Sequence, residues 1–268
     1  MEKLLKYYPS ILLILCIYNC ESKDEEIKRI TDYGFSFYQG SPTHMNAFAY
    51  ALELDSTNAE NWRELSVTYL KRGIPHEWKP YMDKAVAYDP VTWQGYRGYN
   101  YLWFYRDYKK AIADFNATDT LTPLYTDAPQ GHSVDYWRGI AYLGLKDYEN
   151  SIKYWDKHIK KETEESGEDW VEINAFLYRG IAYYESGNLD EALHNFNELL
   201  RLFNNISADA KYYKALILKA KGDLKAAKVH TLDAIEDYNL GYNNSRPYVE
   251  TLRQIYPEDL ENLLHSLN

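Results

Sequence analysis

Three stretches of this chain repeat one pattern of tyrosine, arginine, glycine and regularly spaced small or aromatic residues. They read YRGYNYLWFYRDYKKAIADF, YWRGIAYLGLKDYENSIKYW and LYRGIAYYESGNLDEALHNF. Their glycines, Gly98, Gly139 and Gly180, recur at intervals of 41 residues, and a tyrosine follows each glycine three residues later. Small and apolar residues at three- and four-residue intervals are typical of amphipathic helices. The repetition therefore predicts stacked helical hairpins, which overrides the one or two globular domains that a length of 268 residues would suggest.

Other segments follow the same plan without an insertion. Residues 59–92 carry Trp62, Leu65, Tyr69, Ala85 and Pro90 at regular places, and 173–206 and 208–241 continue the pattern. In these positions the chain resembles the tetratricopeptide repeat (TPR) family, whose unit is a helix-turn-helix of about 34 residues. The resemblance implies an all-α, right-handed superhelical solenoid of about six hairpins over 27–241. Residues 242–268 are predicted to form one or two C-terminal capping helices with polar faces.

Two insertions lengthen the central units. The segments TDTLTPLYTDAPQGH and KKETEESGED, near 119–132 and 160–169, account for the longer spacing. Insertions in repeat proteins usually emerge on one face and can contribute to binding. The sequence leaves open whether these two bind a partner or are tolerated loops.

The first residues have a different character. Lys3 and Lys6 precede an apolar run of roughly ten residues, which fits a secretory signal and is too short to span a bilayer. The segment before Cys20 resembles a lipoprotein signal, which implies removal of 1–19, acylation of Cys20 and a charged tether over 20–26. The run Lys23 to Glu26 is similar to the export tag of Bacteroidetes surface lipoproteins; a solvated linker is the other interpretation. These features predict an outer-membrane lipoprotein of the cell envelope, exported to the cell surface if the tag is real.

Composition and motifs argue against several function classes. A net charge of -10 gives no basic footprint for nucleic acid. No zinc-protease, phosphate-loop or nucleophile-elbow motif occurs, so we expect no enzymatic activity, cofactor or metal site. His158, His194 and His230 recur every 36 residues at second-helix positions, which favours a repeated polar helix position over metal ligation.

Aromatic residues are the unusual feature, with 28 tyrosines and 7 tryptophans against 8 phenylalanines. Tyr69, Tyr101, Tyr142 and Tyr183 occupy the position that the family uses for packing. A second set lies near the register glycines, on the first-helix side that lines the binding groove in the family. Tyrosine and tryptophan dominate binding hot spots, so this set is predicted to contact a partner, with packing between repeats as the alternative. The set comprises Tyr96, Tyr99, Trp103, Tyr136, Trp137, Tyr178, Tyr184, Tyr212 and Tyr213.

Arg97, Arg138 and Arg179 immediately precede the same glycines. An ion pair between helices, for example with Asp114, is one interpretation. Stacking of the guanidinium among groove aromatics is the other.

Taken with the family resemblance, these features predict a membrane-anchored adaptor that binds a protein or peptide in an aromatic groove. Two alternatives stay open: an immunity protein that neutralises a toxin, and a carbohydrate-binding surface lipoprotein.

Overall fold

The computed structural model describes residues 21–267, in which thirteen α-helices and two short 3-10 turns form and no strand occurs. The predicted signal peptide and Cys20 lie outside the described residues. The chain divides into two compact units, Met1–Pro90 and Val91–Asn268. The all-α prediction is confirmed.

The first unit contains two helical hairpins. Helices α1 (Lys23–Phe35) and α2 (Pro42–Leu54) pack as one pair, and α3 (Ala59–Lys71) and α4 (Pro75–Tyr88) as the next. Ser22 caps α1 through a capping box with Glu25, so residues 23–26 of the predicted tether form the first helical turn. This helix start satisfies two backbone N–H groups that an extended tether would leave to water.

The second unit contains four hairpins and a final helix. The pairs are α5 (Pro90–Phe104) with α6 (Tyr108–Leu121), α7 (Val134–Gly144) with α8 (Tyr148–Ser166), α9 (Ile173–Glu185) with α10 (Leu189–Leu202), and α11 (Ala208–Ala220) with α12 (Leu224–Asn239). Helix α13 (Pro257–His265) packs on α12. With the first unit, the described residues hold the six hairpins that the repeat pattern predicts.

The register glycines lie where the two helices of a hairpin approach most closely. A Cβ atom on Gly139 would stand 2.5 Å from the Trp155 ring, and one on Gly180 would stand 2.6 Å from Phe196. Both aromatic rings are fully buried. Small residues at these places are therefore a packing requirement, as the sequence predicts.

The arginine before each glycine joins helices, which confirms the ion-pair interpretation. Arg97 pairs with Asp114 across its own hairpin at 2.8 Å. Arg138, 1% exposed, binds Asp119 of the preceding hairpin at 2.6 Å and lies over the Tyr154 ring of its own.

Arg179 follows the same scheme as Arg97 and Arg138. It donates to Asn195 of its own hairpin and to Asp156 of the preceding one, both at 2.7 Å. These contacts connect successive hairpins as well as the two helices of each.

A stretch without regular secondary structure, residues 240–256, separates α12 from α13. We call it the return segment. Loops of this length are uncommon in compact folds unless they have a function of their own. Its last residues are anchored, since Leu252 is 5% and Ile255 2% exposed, and Ile255 packs with Ala208, Ala234 and Leu260. Only one regular helix forms C-terminal of residue 242 among the described residues.

Candidate functional site

The first helices of the second unit form an aromatic surface. Tyr99 and Trp103 come from α5, Tyr136 and Trp137 from α7, and Tyr178 from α9. The ring centroids of Tyr99 and Trp137 are 5.2 Å apart, and those of Trp103 and Trp137 are 6.2 Å apart, both edge to face. We call these five side chains the aromatic face. The first helices thus bring together five of the nine predicted site residues.

The return segment lies on the aromatic face. The Arg246 guanidinium lies 4.4 Å from the ring centroid of Trp103 and 5.3 Å from that of Tyr99, and it also donates to the Tyr99 hydroxyl. Asn244 donates through its side-chain amide to the Tyr178 hydroxyl at 2.9 Å. A guanidinium over two aromatic rings gains cation–π attraction on both, which fixes the segment here.

Two carboxylates hold the same segment. The backbone N–H of Asn244 donates to Asp209 at 2.7 Å, and Arg253 pairs with Glu185. Asp209 is buried, and burial raises its pKa to about 6, although the hydrogen bond from Asn244 acts in the opposite direction.

A cavity of about 340 Å³ lies between the return segment and the aromatic face. All five aromatic-face residues line it, opposite Asn244, Ser245, Arg246 and Thr251, with Gln130, His132 and Asn174 completing the wall. The cavity offers aromatic rings, amides, an imidazole and a guanidinium. Such a lining suits recognition of a side chain that combines a flat or apolar body with polar ends.

Burial shifts the pKa values of several titratable side chains that line the cavity. Burial lowers the pKa of His132, with the negative charge of Glu172 opposing this shift. Burial also raises the pKa of Tyr178 to about 12 and that of Tyr136 well above its ordinary value. The phenols are therefore neutral hydrogen-bonding groups at neutral pH.

Six of the nine aromatic site residues are buried. Tyr99, Trp103, Tyr136, Trp137, Tyr178 and Tyr213 are between 2% and 7% exposed, whereas Tyr96, Tyr184 and Tyr212 are half-buried. The aromatic face is buried because its rings pack on one another and on the return segment. Tyr213 is covered instead by Phe196, Tyr184 and Tyr212. Partner contact by any of the nine stays a prediction.

Three of the four tyrosines predicted to be packing residues are more exposed than the side chains of the aromatic face. Tyr69, Tyr142 and Tyr183 are half-buried, and only Tyr101 is buried. Tyr142 stacks on Tyr154 at a centroid distance of 5.4 Å.

Exposed apolar side chains occur on the two insertions instead. Leu124 and Tyr125 are 95% and 62% exposed, and Trp170 is 79% exposed. The first insertion continues into Gln130 and His132 of the cavity wall. Sequence reasoning identified the two insertions but did not single out these side chains, although an apolar residue in a Pro-, Thr- and Asp-rich loop is a signal for exposure.

Ser133, His158 and Glu162 lie next to one another. Ser133 Oγ is 3.1 Å from His158 Nδ1, and His158 Nε2 is 3.3 Å from Glu162 Oε2. The same Ser133 oxygen caps α7 by accepting from the Tyr136 N–H, and the imidazole is buried against Tyr136 and Trp155. These contacts secure the start of α7.

Known protein families include one that matches the central and C-terminal hairpins. Two profiles described as tetratricopeptide repeat match residues 132–205 and 177–235. The chain contains tetratricopeptide repeats. The matched ranges cover the TPR hairpins from α7 to α12, and thus the hairpins that supply Tyr136, Trp137 and Tyr178.

Solved structures share the TPR fold. PilW, titled a widely conserved type IV pilus biogenesis factor, is 15% identical over 90% of this chain and 99% of its own, with a TM-score of 0.64. The Pseudomonas aeruginosa pilF structure is 17% identical over 83% and 97%, with a TM-score of 0.59. A tetratricopeptide repeat protein from Parabacteroides merdae is 16% identical over 90% and 98%, with a TM-score of 0.54. A search of curated proteins returns no match.

Two further observations concern the described residues 21–267. They contain no helix that is both long and apolar enough to cross a membrane. They also contain no cluster of three or more histidine, cysteine or acidic side chains arranged to hold a metal ion.

Proposed function

We propose that this TPR protein is a membrane-anchored adaptor of the bacterial cell envelope that binds another protein through its second unit. TPR arrays support a protein–protein interaction scaffold. The envelope location is inferred from the lipoprotein-like signal and Cys20, which lie outside the described residues.

The observation that supports the binding surface is the distribution of exposed apolar side chains. In the second unit Tyr125 of the first insertion, Trp170 directly after the second, and Tyr248 of the return segment are exposed to solvent, while the aromatic face is covered. Large aromatic side chains that stand free and then become buried are typical interface anchors. We therefore propose that the first partner contact is made by Tyr125 and Trp170, at the two insertions.

A protein partner is better supported than a carbohydrate. Sugar rings stack on exposed, flat aromatic platforms, whereas the aromatic face is nearly fully buried. The identity of the captured partner, an envelope component or a toxin, distinguishes the adaptor from the immunity role.

The test is affinity capture from crosslinked envelopes of the source cells, with wild type and Trp170→Ala compared by quantitative mass spectrometry. We expect one partner to be lost by Trp170→Ala, with affinity lowered by roughly thirtyfold if Trp170 is an anchor. Purified complexes then give the dissociation constant directly.

Tyr38→Ala is the matched control, because Tyr38 is 93% exposed and belongs to the first unit. It should retain the partner. Equal capture by wild type, Trp170→Ala and Tyr125→Ala would refute the proposed surface.

A further inference from the structure

The return segment occupies the surface where first helices of neighbouring hairpins come together. Its contacts reach α5 through Tyr99 and Trp103, α9 through Tyr178 and Glu185, and α11 through Asp209. A segment of irregular backbone laid across several first helices has the arrangement of a bound peptide.

The two halves of the segment are held differently. The end near α13 is fixed by the buried side chains Leu252 and Ile255, whereas Ser245, Pro247, Tyr248 and Glu250 are exposed. In the exposed half, Arg246 and Asn244 make the contacts to the aromatic face, and those contacts are polar or cation–π. This half can leave without unfolding the anchored half.

The docked conformation is not optimal. Tyr248 has a φ of 73°, in the left-handed region that bulky residues rarely adopt. The cavity of about 340 Å³ stays open beneath the segment. Among the described residues, neither Trp103 Nε1 nor Arg246 Nε has a hydrogen-bond partner, although both atoms are buried. Another peptide could fill this space and satisfy the indole N–H.

We propose that residues 243–250 are an internal ligand of the aromatic face, and that a partner displaces them by inserting an arginine of an extended peptide between Tyr99 and Trp103. The inference rests on the proposed function and specifies the chemistry of the partner. The partner bears an arginine because the site formed by Tyr99 and Trp103 already holds the Arg246 guanidinium over two rings. The carboxylate of Asp209, which loses the Asn244 N–H when the segment leaves, adds electrostatic attraction for a basic peptide.

Competition by a tethered ligand has a measurable consequence. A segment joined to the protein at both ends acts at a high effective concentration, so it weakens the apparent affinity of any competing peptide. The apparent dissociation constant is the intrinsic one divided by the fraction of molecules whose surface is open. Loosening the internal segment must therefore strengthen binding of a competitor.

The experiment uses the full chain and a fluorescein-labelled peptide with the sequence of residues 242–254, followed by fluorescence anisotropy. We expect the peptide to bind the Arg246→Ala protein at least tenfold more tightly than wild type. A peptide with alanine in place of Arg246, and with Arg253 kept, should bind the Arg246→Ala protein at least tenfold more weakly than the native peptide. The control protein is Arg201→Ala, because Arg201 pairs with Asp169 and Glu198 away from the segment and should leave the wild-type affinity unchanged.

Three results would overturn the proposal. The first is equal binding of the native peptide to wild type and to Arg246→Ala. The second is binding of the alanine peptide that is as tight as that of the native peptide. The third is formation of an Arg246→Ala dimer that exchanges segments between copies. Thermal melts verify folding, and Arg246→Lys, which keeps the charge without the planar guanidinium, replaces the alanine variant if that protein is unstable. If capture of a partner through Trp170 succeeds while these binding results are negative, the proposed function stands and this inference fails.

Discussion

Replacing Gly180 with alanine tests the packing of the central hairpins by the sign of one free-energy change. Alanine favours a helix interior over glycine by about 1 kcal/mol, so an uncrowded site would be stabilised. In this structure the new Cβ would stand 2.6 Å from Cε1 of Phe196, a ring that is fully buried and cannot swing into solvent. Overpacking of this kind costs about 1–3 kcal/mol. We expect a net loss of up to about 2 kcal/mol in the free energy of unfolding.

The assay is urea denaturation followed by both circular dichroism and tryptophan fluorescence, because repeat arrays can lose two-state behaviour. Phe196→Leu removes the ring atoms that crowd the new methyl group and provides a double-mutant cycle. In that background Gly180→Ala should become neutral or stabilising. Stabilisation of the parent protein by Gly180→Ala, with no coupling to residue 196, would refute the predicted close approach.

Three other predictions concern different parts of the chain. Cys20→Ser should release the protein from membranes or leave its signal uncleaved, because stable anchoring needs more than one acyl chain; wild type that resists globomycin and takes up no palmitate label would argue against the lipoprotein prediction. Trp137→Ala should cost about 3–5 kcal/mol of stability in thermal or urea unfolding, since the indole is 3% exposed and donates to the Pro129 carbonyl. Asp209 has a folded pKa of about 6 against 3.8 for the free side chain, so the folded protein holds a proton between these values that the unfolded chain has lost. The contribution of Asp209 to the free energy of unfolding therefore falls as pH rises from about 4 to 6, by up to about 3 kcal/mol. Over the same pH range the Asp209→Asn protein should become more stable relative to wild type. A stability difference between the two proteins that does not change with pH would contradict the assigned pKa shift.

The hairpins could be predicted because their signals are local. Each of the three repeats with a register glycine also contains a tyrosine three residues later and an aromatic residue on the second helix. These residues are close in sequence, so their spacing predicts which of them pack together, as Gly139 does with Trp155. The repeat units 173–206 and 208–241 follow from the same spacing, and each contains one hairpin.

The cover over the aromatic face could not be predicted in this way. Arg246 reaches Tyr99 across 147 residues of sequence, and nothing near either residue indicates the contact. Without that cover, the first-helix aromatics have the pattern of an open binding surface, which is why the sequence predicts partner contact for them. The return segment also lacks helical periodicity, so the sequence-based prediction of capping helices assigned its residues to the wrong kind of structure.

The arginines that precede the register glycines limit which hairpins can be exchanged or duplicated within the array. Arg138 is buried and depends on Asn116 and Asp119 of the hairpin before it. In the following hairpin the equivalent second-helix positions hold Asp156 and Ile159, so a guanidinium placed against that surface would meet a carboxylate in place of the Asn116 amide and an apolar side chain in place of Asp119.

A tandem duplication of the α7–α8 hairpin would create that mismatch. The second copy of Arg138 would lose the Asp119 pair and the Asn116 acceptor and keep the pair with Asp135 of its own helix. Hairpins that share the repeat pattern are thus specific to their neighbours. Recombination within the array is expected to yield folded products only where an arginine and its acceptors are exchanged together.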